Sequence, residues 1–366
     1  MDNDLLYQIA LTMVPNIGTV HAKSLVELYG DAASIFKANK HVLEKIEGIG
    51  VIRANHIKAY RDFKRAEEEM TFIEKFKIQP LFLTDPNYPK RFLHCYDPPT
   101  LFYYRGTANL NSAKMLAIVG TRMNTDYGKH VTEQLIKQLE LADLVIISGL
   151  AFGIDAIAHK TALRNNIPTV GVIGHGLDTM YPPQHKALAK EMLQEGGILT
   201  EFRSQTKPDK HNFPIRNRIV AGISDATIVV ETGSKGGSMI TAEMANSYNR
   251  DVFAVPGRTN DLKSAGCNHL IRANKAILLT DARQLKEIMG WEHPETKPFK
   301  AQRDLFLELS DDEKKLVSIL KEKETMAIDE LNIKSDLSSS GVAAAILNLE
   351  FQGVIRLLPG KMYKLV

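Results

Sequence analysis

The sequence predicts an α/β protein built around a Rossmann-like, doubly wound and mostly parallel sheet. A small helical N-terminal domain precedes the sheet, and a C-terminal winged-helix-like domain follows it. Three observations support this fold class: short apolar runs alternate with helical segments in the middle of the chain, the first part has helical periodicity, and the last part ends in helices and a hairpin. A chain of 366 residues is also too long for one compact core, because domains typically contain ~100 to 200 residues.

Composition restricts the class of protein. Hydrophobic residues make up 44% of the chain and charged residues 24%, which are ordinary proportions for a soluble globular protein. They exclude wholesale disorder, a collagen-like repeat and a membrane-embedded body. The net charge of +3 favours a polyanionic partner only weakly, so a basic binding surface would have to arise from local clustering of Lys and Arg.

The termini and cysteines bear on location and cofactors. Asp2 and Asp4 stand where a secretory signal needs basic residues, and the longest apolar stretch, Leu144 to Ile154, is shorter than the ~18 residues of a membrane span. We therefore expect a cytoplasmic protein without a membrane partner. Cys95 and Cys267 lack the spacing of a zinc site, so they are interpreted as reduced packing cysteines, and no metal or cofactor is predicted.

The helical domain is predicted for residues 1–75, where a pattern of Ile-Gly followed by Ala occurs twice, in Pro15–Ala22 and Glu47–Ala54. Asn16 in the first copy and Gly48 in the second can adopt the positive φ of a tight turn. Two interpretations remain open. The copies are either helix-hairpin-helix (SAM-like) units whose helix N-termini hold DNA phosphates, or turns that only close a helical bundle.

The Rossmann-like domain is predicted for residues 80–287. Seven apolar runs have the length of buried strands, and polar stretches with helical spacing separate most of them, which is typical of βαβ units. The proline-rich segment Pro80–Tyr104 is expected to add irregular or edge structure ahead of them. The seven predicted strands are Leu116–Val119, Leu144–Ile147, Thr169–Ile173, Gly197–Thr200, Ala226–Val230, Asp251–Val255 and Ala276–Leu279.

A linker is predicted at residues 288–304, where prolines and charges occur without periodicity. The winged-helix-like domain of residues 305–366 begins with Ser310 and Glu313 in the arrangement of a capping box, and it ends with a hairpin that turns at Pro359 and Gly360. The candidate recognition helix, Gly341–Leu349, contains no Arg or Lys. Contact with a protein, or autoinhibitory docking, is therefore favoured over recognition of duplex DNA.

Ligands of an open parallel sheet bind at the carboxyl ends of its strands, so the residues after each apolar run form the candidate site. Gly120, Thr121 and Arg122 follow the first run and combine a sharp turn, donors for an oxyanion and a guanidinium that can grip it. The GxGxxG loop of dinucleotide sites is absent at this position, which argues against a dinucleotide cofactor.

The second run is followed by Ser148, Gly149 and Gly153, small residues that allow close backbone approach. Asp155 and His159 come next, one helical turn apart. This pair could be catalytic, or Asp155 could be a helix-start acid hydrogen-bonded to its neighbours. The second interpretation is favoured because no Ser or Cys nucleophile accompanies the pair.

Two later segments add donors. Residues 207–222 are the most basic part of the chain, where Phe213 offers a ring for base stacking beside Arg216, Asn217 and Arg218, although a solvated, charged helix start is the alternative. The fifth run leads into a glycine-rich loop and another helix, which predicts a second anion cradle. The donors and glycines of this cradle are Lys235, Gly236, Gly237, Ser238 and Thr241.

These motifs resemble those of the DNA-processing protein A (DprA/Smf) family. The resemblance spans roughly residues 80 to 285, and it extends to the helical N-terminal and winged-helix C-terminal modules that the family often carries. The segments that support it are Ile118–Arg122, Ser148–Asp155, Phe213–Gly222, Gly236–Ala242, Val255–Gly257 and Gly266–Ile271.

The resemblance implies a bacterial cytosolic protein that binds and protects single-stranded DNA in natural transformation. It further implies that the protein loads the RecA recombinase onto this DNA, usually as a homodimer. The residues at 120–122 and 216–218, together with the Gly236-Gly237 loop, would then line a phosphate pocket.

We expect no catalytic turnover, because the sequence lacks a P-loop, a carboxylate cluster for Mg²⁺ and a convincing nucleophile–base pair. One rival hypothesis is a nucleoside-monophosphate phosphoribohydrolase, whose Pro-Gly-Gly-x-Gly-Thr-x-x-Glu loop is similar to the glycine-rich loop. Here Glu243 follows Thr241 by two residues instead of three, so the acid would point elsewhere around the helix. The other rival is a nucleotide-sensing domain with the winged helix as a transcriptional output.

Overall fold

The computed structural model describes residues 3–291, 309–323, 325–358 and 360–366. The predicted tight turns are confirmed, because Asn16 and Gly48 have φ angles of 62° and 78°. Arg53 ties the two turns together by donating to the carbonyl oxygens of Asn16 and Gly48, each at 3.0 Å. The N-terminal helices are α1 (Asn3–Leu11), α2 (Thr19–Tyr29), α3 (Ala32–Lys37), α4 (Lys40–Glu44), α5 (Gly50–Ala59) and α6 (Phe63–Phe76).

A nine-stranded mixed sheet forms the centre of the structure. Its strands are β1 (Gln79–Phe82), β2 (Leu101–Gly106), β3 (Lys114–Val119), β4 (Leu144–Ser148), β5 (Thr169–Val172), β6 (Gly196–Thr200), β7 (Ala226–Val229), β8 (Asp251–Ala254) and β9 (Ile277–Leu278). They lie in the order β1-β2-β6-β5-β4-β3-β7-β8-β9. All pairs from β3 to β9 are parallel, and β1 and β2 are antiparallel to their neighbours. The seven predicted runs coincide with β3 to β9.

Helices cover both faces of this sheet. They are α7 (Asp126–Gln138), α8 (Ile154–Arg164), α9 (Lys186–Glu195), α10 (Asn212–Ile223), α11 (Gly237–Ser247), α12 (Ala265–Arg272) and α13 (Ala282–Ile288). Along β3, Met115 and Ala117 join one buried cluster while Leu116 and Ile118 join the other, because successive side chains of a strand point to opposite faces. The predicted doubly wound, mostly parallel architecture is therefore confirmed.

Two edge predictions need correction. Ile277 and Leu278 of β9 were expected to be buried, but they are 38% and 40% exposed because β9 is the outermost strand of the sheet. The segment before β3 was expected to be irregular or at an edge. This holds for β1, whereas β2 lies inside the sheet between β1 and β6, and Leu101–Tyr104 are buried.

The N-terminal helices pack directly on the sheet. One cluster of buried side chains runs from Ile9 to Leu270 without a break between the two parts. Glu69, which is fully buried, accepts hydrogen bonds from the backbone N–H and hydroxyl of Ser204 at 2.9 and 2.5 Å, and from Arg65 at 2.9 Å. A buried carboxylate with several donors fixes the orientation of α6 against the loop after β6.

The C-terminal part consists of α14 (Asp311–Lys321), β10 (Met326–Ala327), α15 (Ile328–Ser335), α16 (Ser339–Phe351), β11 (Ile355–Leu358) and β12 (Met362–Leu365). The capping box is confirmed, since Glu313 accepts from the Ser310 N–H at 2.7 Å and Ser310 Oγ accepts from the Glu313 N–H at 3.3 Å. The predicted hairpin is β11–β12, while Pro359 of its turn and residues 292–304 of the predicted linker lie outside the described residues.

No helix in the described ranges is both long enough and apolar enough to span a bilayer.

Candidate functional site

A cavity of about 580 Å³ opens at the carboxyl edge of the sheet, beside the ends of β3 and β7. The chain winds outward from β3 to β6 and then crosses back to β7, so the cavity lies at the switch point where open α/β sheets bind ligands. Eleven of the fifteen predicted site residues line it. They are Gly120, Thr121, Arg122, Gly149, Phe213, Arg216, Asn217, Gly236, Gly237, Ser238 and Thr241.

The loop after β3 is held by close backbone packing. The Thr121 N–H donates to the Glu231 carbonyl oxygen at 2.7 Å, which joins this loop to the end of β7. Gly153 lies beneath the loop with φ at 76°, and a Cβ there would come within 2.2 Å of the Thr121 carbonyl oxygen. Gly153 therefore supports the loop from below and does not line the cavity.

The glycine-rich loop presents the N-terminus of α11 to the cavity. Gly236 is the N-cap residue and supplies no side-chain cap, and the first N–H groups of a helix have no intrahelical acceptor. Ser238 lines the cavity and is only 6% exposed, and its buried hydroxyl has no hydrogen-bond partner in the part of the chain that the structure describes. Asn217 holds the loop in place by donating to the Gly237 carbonyl oxygen at 3.1 Å. A buried unpaired hydroxyl at a helix N-terminus is suited to an anion.

Arg216 forms the floor of the cavity. Its buried guanidinium donates to the carbonyl oxygens of Gly149 and Val172 and, at 3.1 Å, to Asn217 Oδ1. Burial lowers the pKa of Arg216 to about 10, so the side chain is still a cation at neutral pH. Arg216 therefore adds positive charge to the cavity, while most of its N–H donors are already hydrogen-bonded to other residues of the protein.

Asp155 and His159 have different hydrogen-bond partners. Asp155 accepts from the Ala151 N–H at 3.3 Å, while His159 Nδ1 lies 2.7 Å from Thr169 Oγ1. Burial raises the pKa of Asp155, and the neighbouring Arg216 opposes this shift. Asp155 is thus a helix-start acid bonded to its neighbours, as favoured from the sequence.

Arg122 is an accessible cation of the cavity. Its exposed guanidinium lies 5.2 Å from the centroid of the Phe213 ring, and the Phe213 and Tyr181 rings stack at 6.0 Å and 30°. Lys210 also lines the cavity. The sequence placed Lys210 in the basic stretch but did not single it out, although its position just before α10 was a usable signal.

One contact between two loops could not be predicted from the sequence. Lys263, on the loop between β8 and α12, donates to the Met123 carbonyl oxygen at 2.7 Å. It links two loops that are far apart in the chain, at the rim of the cavity.

Four predicted site residues lie outside the cavity lining. Ser148 is buried and donates to the Ile118 carbonyl oxygen at 2.6 Å, Gly153 supports the loop after β3, and Lys235 is exposed on the glycine-rich loop. Arg218 is buried and ion-paired with Glu201. Residues two apart on a helix point to nearly opposite sides, so Arg216 and Arg218 cannot share one pocket. We therefore remove Arg218 from the phosphate-binding set.

The acid required by the phosphoribohydrolase hypothesis is misplaced. Glu243 is exposed on α11, 3.9 Å from Lys275, and it is not among the lining residues. This agrees with the helical phase expected from the sequence.

Comparison with known families decides the family. A model described as DNA recombination-mediator protein A matches residues 79–290, and a model of the DprA winged helix domain matches residues 301–361. The chain belongs to the DprA/Smf family. It is 31% identical to the protein Smf of Synechocystis sp. over 99% of each chain, and 40% identical to the DNA processing protein DprA of Streptococcus pneumoniae over 58% of this chain and 76% of that protein.

Solved structures of two DprA proteins share the fold. The X-ray structure of DprA from Streptococcus pneumoniae matches with a TM-score of 0.62 and 31% identity over 80% of this chain and 99% of that chain. The Helicobacter pylori DprA structure, described in terms of a unique single-stranded DNA binding mode, matches with a TM-score of 0.53 and 33% identity over 58% and 95% of the two chains. The predicted family and fold class are confirmed.

Proposed function

We propose that this DprA/Smf protein binds single-stranded DNA by its sugar–phosphate backbone in the cavity at the carboxyl edge of the sheet. The proposal depends mainly on two groups of phosphate donors that lie at one cavity. The N-terminus of α11 and the exposed Arg122 side chain line the same cavity, and the buried hydroxyl of Ser238 in the first turn of α11 has no hydrogen-bond partner among the described residues. Helix N–H groups and a forked guanidinium are the donors that phosphate oxygens prefer.

The charge of the cavity supports an anionic ligand. Arg122, Lys210 and Arg216 line it, and the one acid among its lining residues, Asp155, is buried beside Arg216. A site with an excess of cations and several neutral donors binds a phosphate backbone with little dependence on base sequence. The single-stranded DNA binding mode described for the Helicobacter pylori relative supports the same ligand.

The finer role follows from the family resemblance. We propose that the protein protects incoming single-stranded DNA and loads the RecA recombinase onto it during natural transformation and recombination in the cytoplasm. In this role the protein holds a substrate and transforms none, so we propose that it has no catalytic activity. Purified protein should neither cut DNA, hydrolyse ATP, nor release free base from nucleoside monophosphates. Any of these activities, if lost in the Asp155→Asn variant, would contradict the proposal.

We also propose a homodimer, which would raise the avidity for a long strand by joining two cavities. The outermost strand β9, whose Ile277 and Leu278 are partly exposed within the described residues, is the supporting feature, because natural proteins usually cover such edges. Light scattering of the parent at micromolar concentration should report a dimer. Ile277→Asp should shift the protein toward the monomer, and an unchanged monomeric mass for both proteins would contradict the proposal.

Fluorescence anisotropy with a labelled poly-dT oligonucleotide tests the main proposal. We expect Arg122→Ala to weaken binding, and unlabelled duplex to compete poorly because its stacked bases and stiff backbone cannot follow a narrow cavity. Arg164→Ala is the matched control, since Arg164 is an exposed arginine at the opposite end of α8. Equal affinity of parent and Arg122→Ala for the oligonucleotide would contradict the site, and no binding by the parent would contradict the function.

A further inference from the structure

A shallow recess adjoins the cavity on the side of β4 and β5. The two share Arg122, Gly149 and Arg216 in their linings, together with Phe213, which stands between them. The recess adds Phe152, from the turn after β4, and Tyr181, from the segment after β5. A ligand that leaves the cavity past Arg122 therefore meets these two rings next.

The rings in the recess are unusually accessible. Phe152 and Tyr181 are each 43% exposed, whereas Phe213 is less exposed and already contacts the Arg122 guanidinium and the Tyr181 ring. Phe152 is held from one side by an edge-on contact with His185 at 5.0 Å and 67°. Phe213, the ring proposed from the sequence for base stacking, therefore has the least free surface of the three. Phe152 and Tyr181 expose more of their rings.

We infer that Tyr181 and Phe152 form a base-stacking platform for the nucleotides next to those whose phosphates lie in the cavity. The inference rests on the proposed function. Every base has a π-face, so stacking on aromatic side chains adds affinity without selecting sequence. The adjoining cations Arg122 and Lys210 favour an occupant that is both anionic and aromatic, which describes a single strand and not an apolar peptide.

The test compares two oligonucleotides of equal length and charge, one of dT and one of abasic sites. Tyr181→Leu and Phe152→Leu should each weaken dT binding by about fivefold or more, as base–aromatic contacts generally do. Neither should change binding of the abasic oligonucleotide or the salt dependence. Tyr181→Phe keeps the ring and should bind dT as the parent does. Tyr96→Leu is the control, because Tyr96 is an exposed ring that packs on Tyr248 and lines neither the cavity nor the recess.

A second measurement uses the parent alone. Photocrosslinking with 5-iododeoxyuridine in the oligonucleotide, followed by peptide mass spectrometry, should place adducts on Tyr181 or Phe152. Parent-like dT binding by both Leu variants, without adducts on either residue, would overturn the platform while leaving single-strand binding intact. An equal loss on dT and abasic oligonucleotides would overturn it as well. Failure of the parent to bind either oligonucleotide would instead overturn the proposed function, and this inference with it.

Discussion

Arg218→Ala should destabilise the fold and leave the salt dependence of DNA binding unchanged. Arg122→Ala should leave the stability nearly unchanged and reduce the salt dependence of DNA binding. Arg218 is buried, forms an ion pair with Glu201, lies 3.8 Å from the Asp97 carboxylate and donates to the Asp97 carbonyl oxygen at 2.5 Å. Burial raises the pKa of Glu201 to about 7, and Arg218 opposes that shift. Removing Arg218 would leave two carboxylates poorly compensated in a low-dielectric region.

The magnitude follows from this burial. Removal of one partner from a buried ion pair costs about 3 to 5 kcal/mol, a large part of the ~5 to 15 kcal/mol that stabilises a typical domain. Since 1 kcal/mol shifts Tm by roughly 2 to 4 °C in a domain of this size, the fall should be on the order of 10 °C. Adding Glu201→Gln to Arg218→Ala should recover part of the loss, because one uncompensated carboxylate is then removed.

The DNA-binding measurement separates the two arginines. Arg122 is exposed and forms no salt bridge within the described residues, so its removal should barely change Tm. One phosphate contact on a single strand contributes ~0.7 to the slope of log K against log salt, which is about a 2.6-fold change in affinity between 50 and 200 mM salt. Anisotropy titrations with poly-dT at several salt concentrations, below the Tm of every variant, should show this flattening for Arg122→Ala alone. A parent-like Tm and a flattened slope for Arg218→Ala would refute the assignment.

Three further predictions concern the fold. Gly153→Ala should lower the free energy of unfolding, measured by urea denaturation, by about 1 to 3 kcal/mol, because φ is 76° and the added Cβ would meet the Thr121 carbonyl oxygen. Gly18 has open space around it, so Gly18→Ala should lower it by less than about 1 kcal/mol. Equal losses for the two variants would contradict this prediction. Burial lowers the pKa of His159 to about 3, so the unfolded chain takes up a proton there as pH falls below ~6.5. Stability should therefore fall by up to about 1.4 kcal/mol per pH unit between pH 6.5 and 3, and His159→Gln should reduce this dependence in unfolding at pH 4.5, 5.5 and 7. Ser310→Ala should destabilise α14 by about 1 kcal/mol in amide hydrogen exchange, with Ser310→Thr close to the parent, because only Ala loses the capping oxygen.

Local features of the chain were enough to predict the sheet and the edge at which the cavity opens. The seven apolar runs became β3 to β9, and the capping box at Ser310 and Glu313 formed as expected, because strand formation and capping depend on residues a few positions apart. The residues after β3 and β7 met in one cavity because parallel strands end at the same edge. Most of the predicted site therefore needed only the order of strands and loops.

The packing of distant segments decided the rest. Helix spacing places Arg216 and Arg218 on opposite sides of α10, but only the position of α10 on the sheet determines that Arg216 faces the cavity and Arg218 meets Glu201. Similarly, the exposure of β9 depends on its place at the end of the strand order. The approach of Tyr181 to Phe213 depends on loops that follow different strands. Such contacts join residues that are far apart in the chain. The periodicity of the sequence does not indicate which distant residues meet, because the packing of helices and strands around the core determines these contacts.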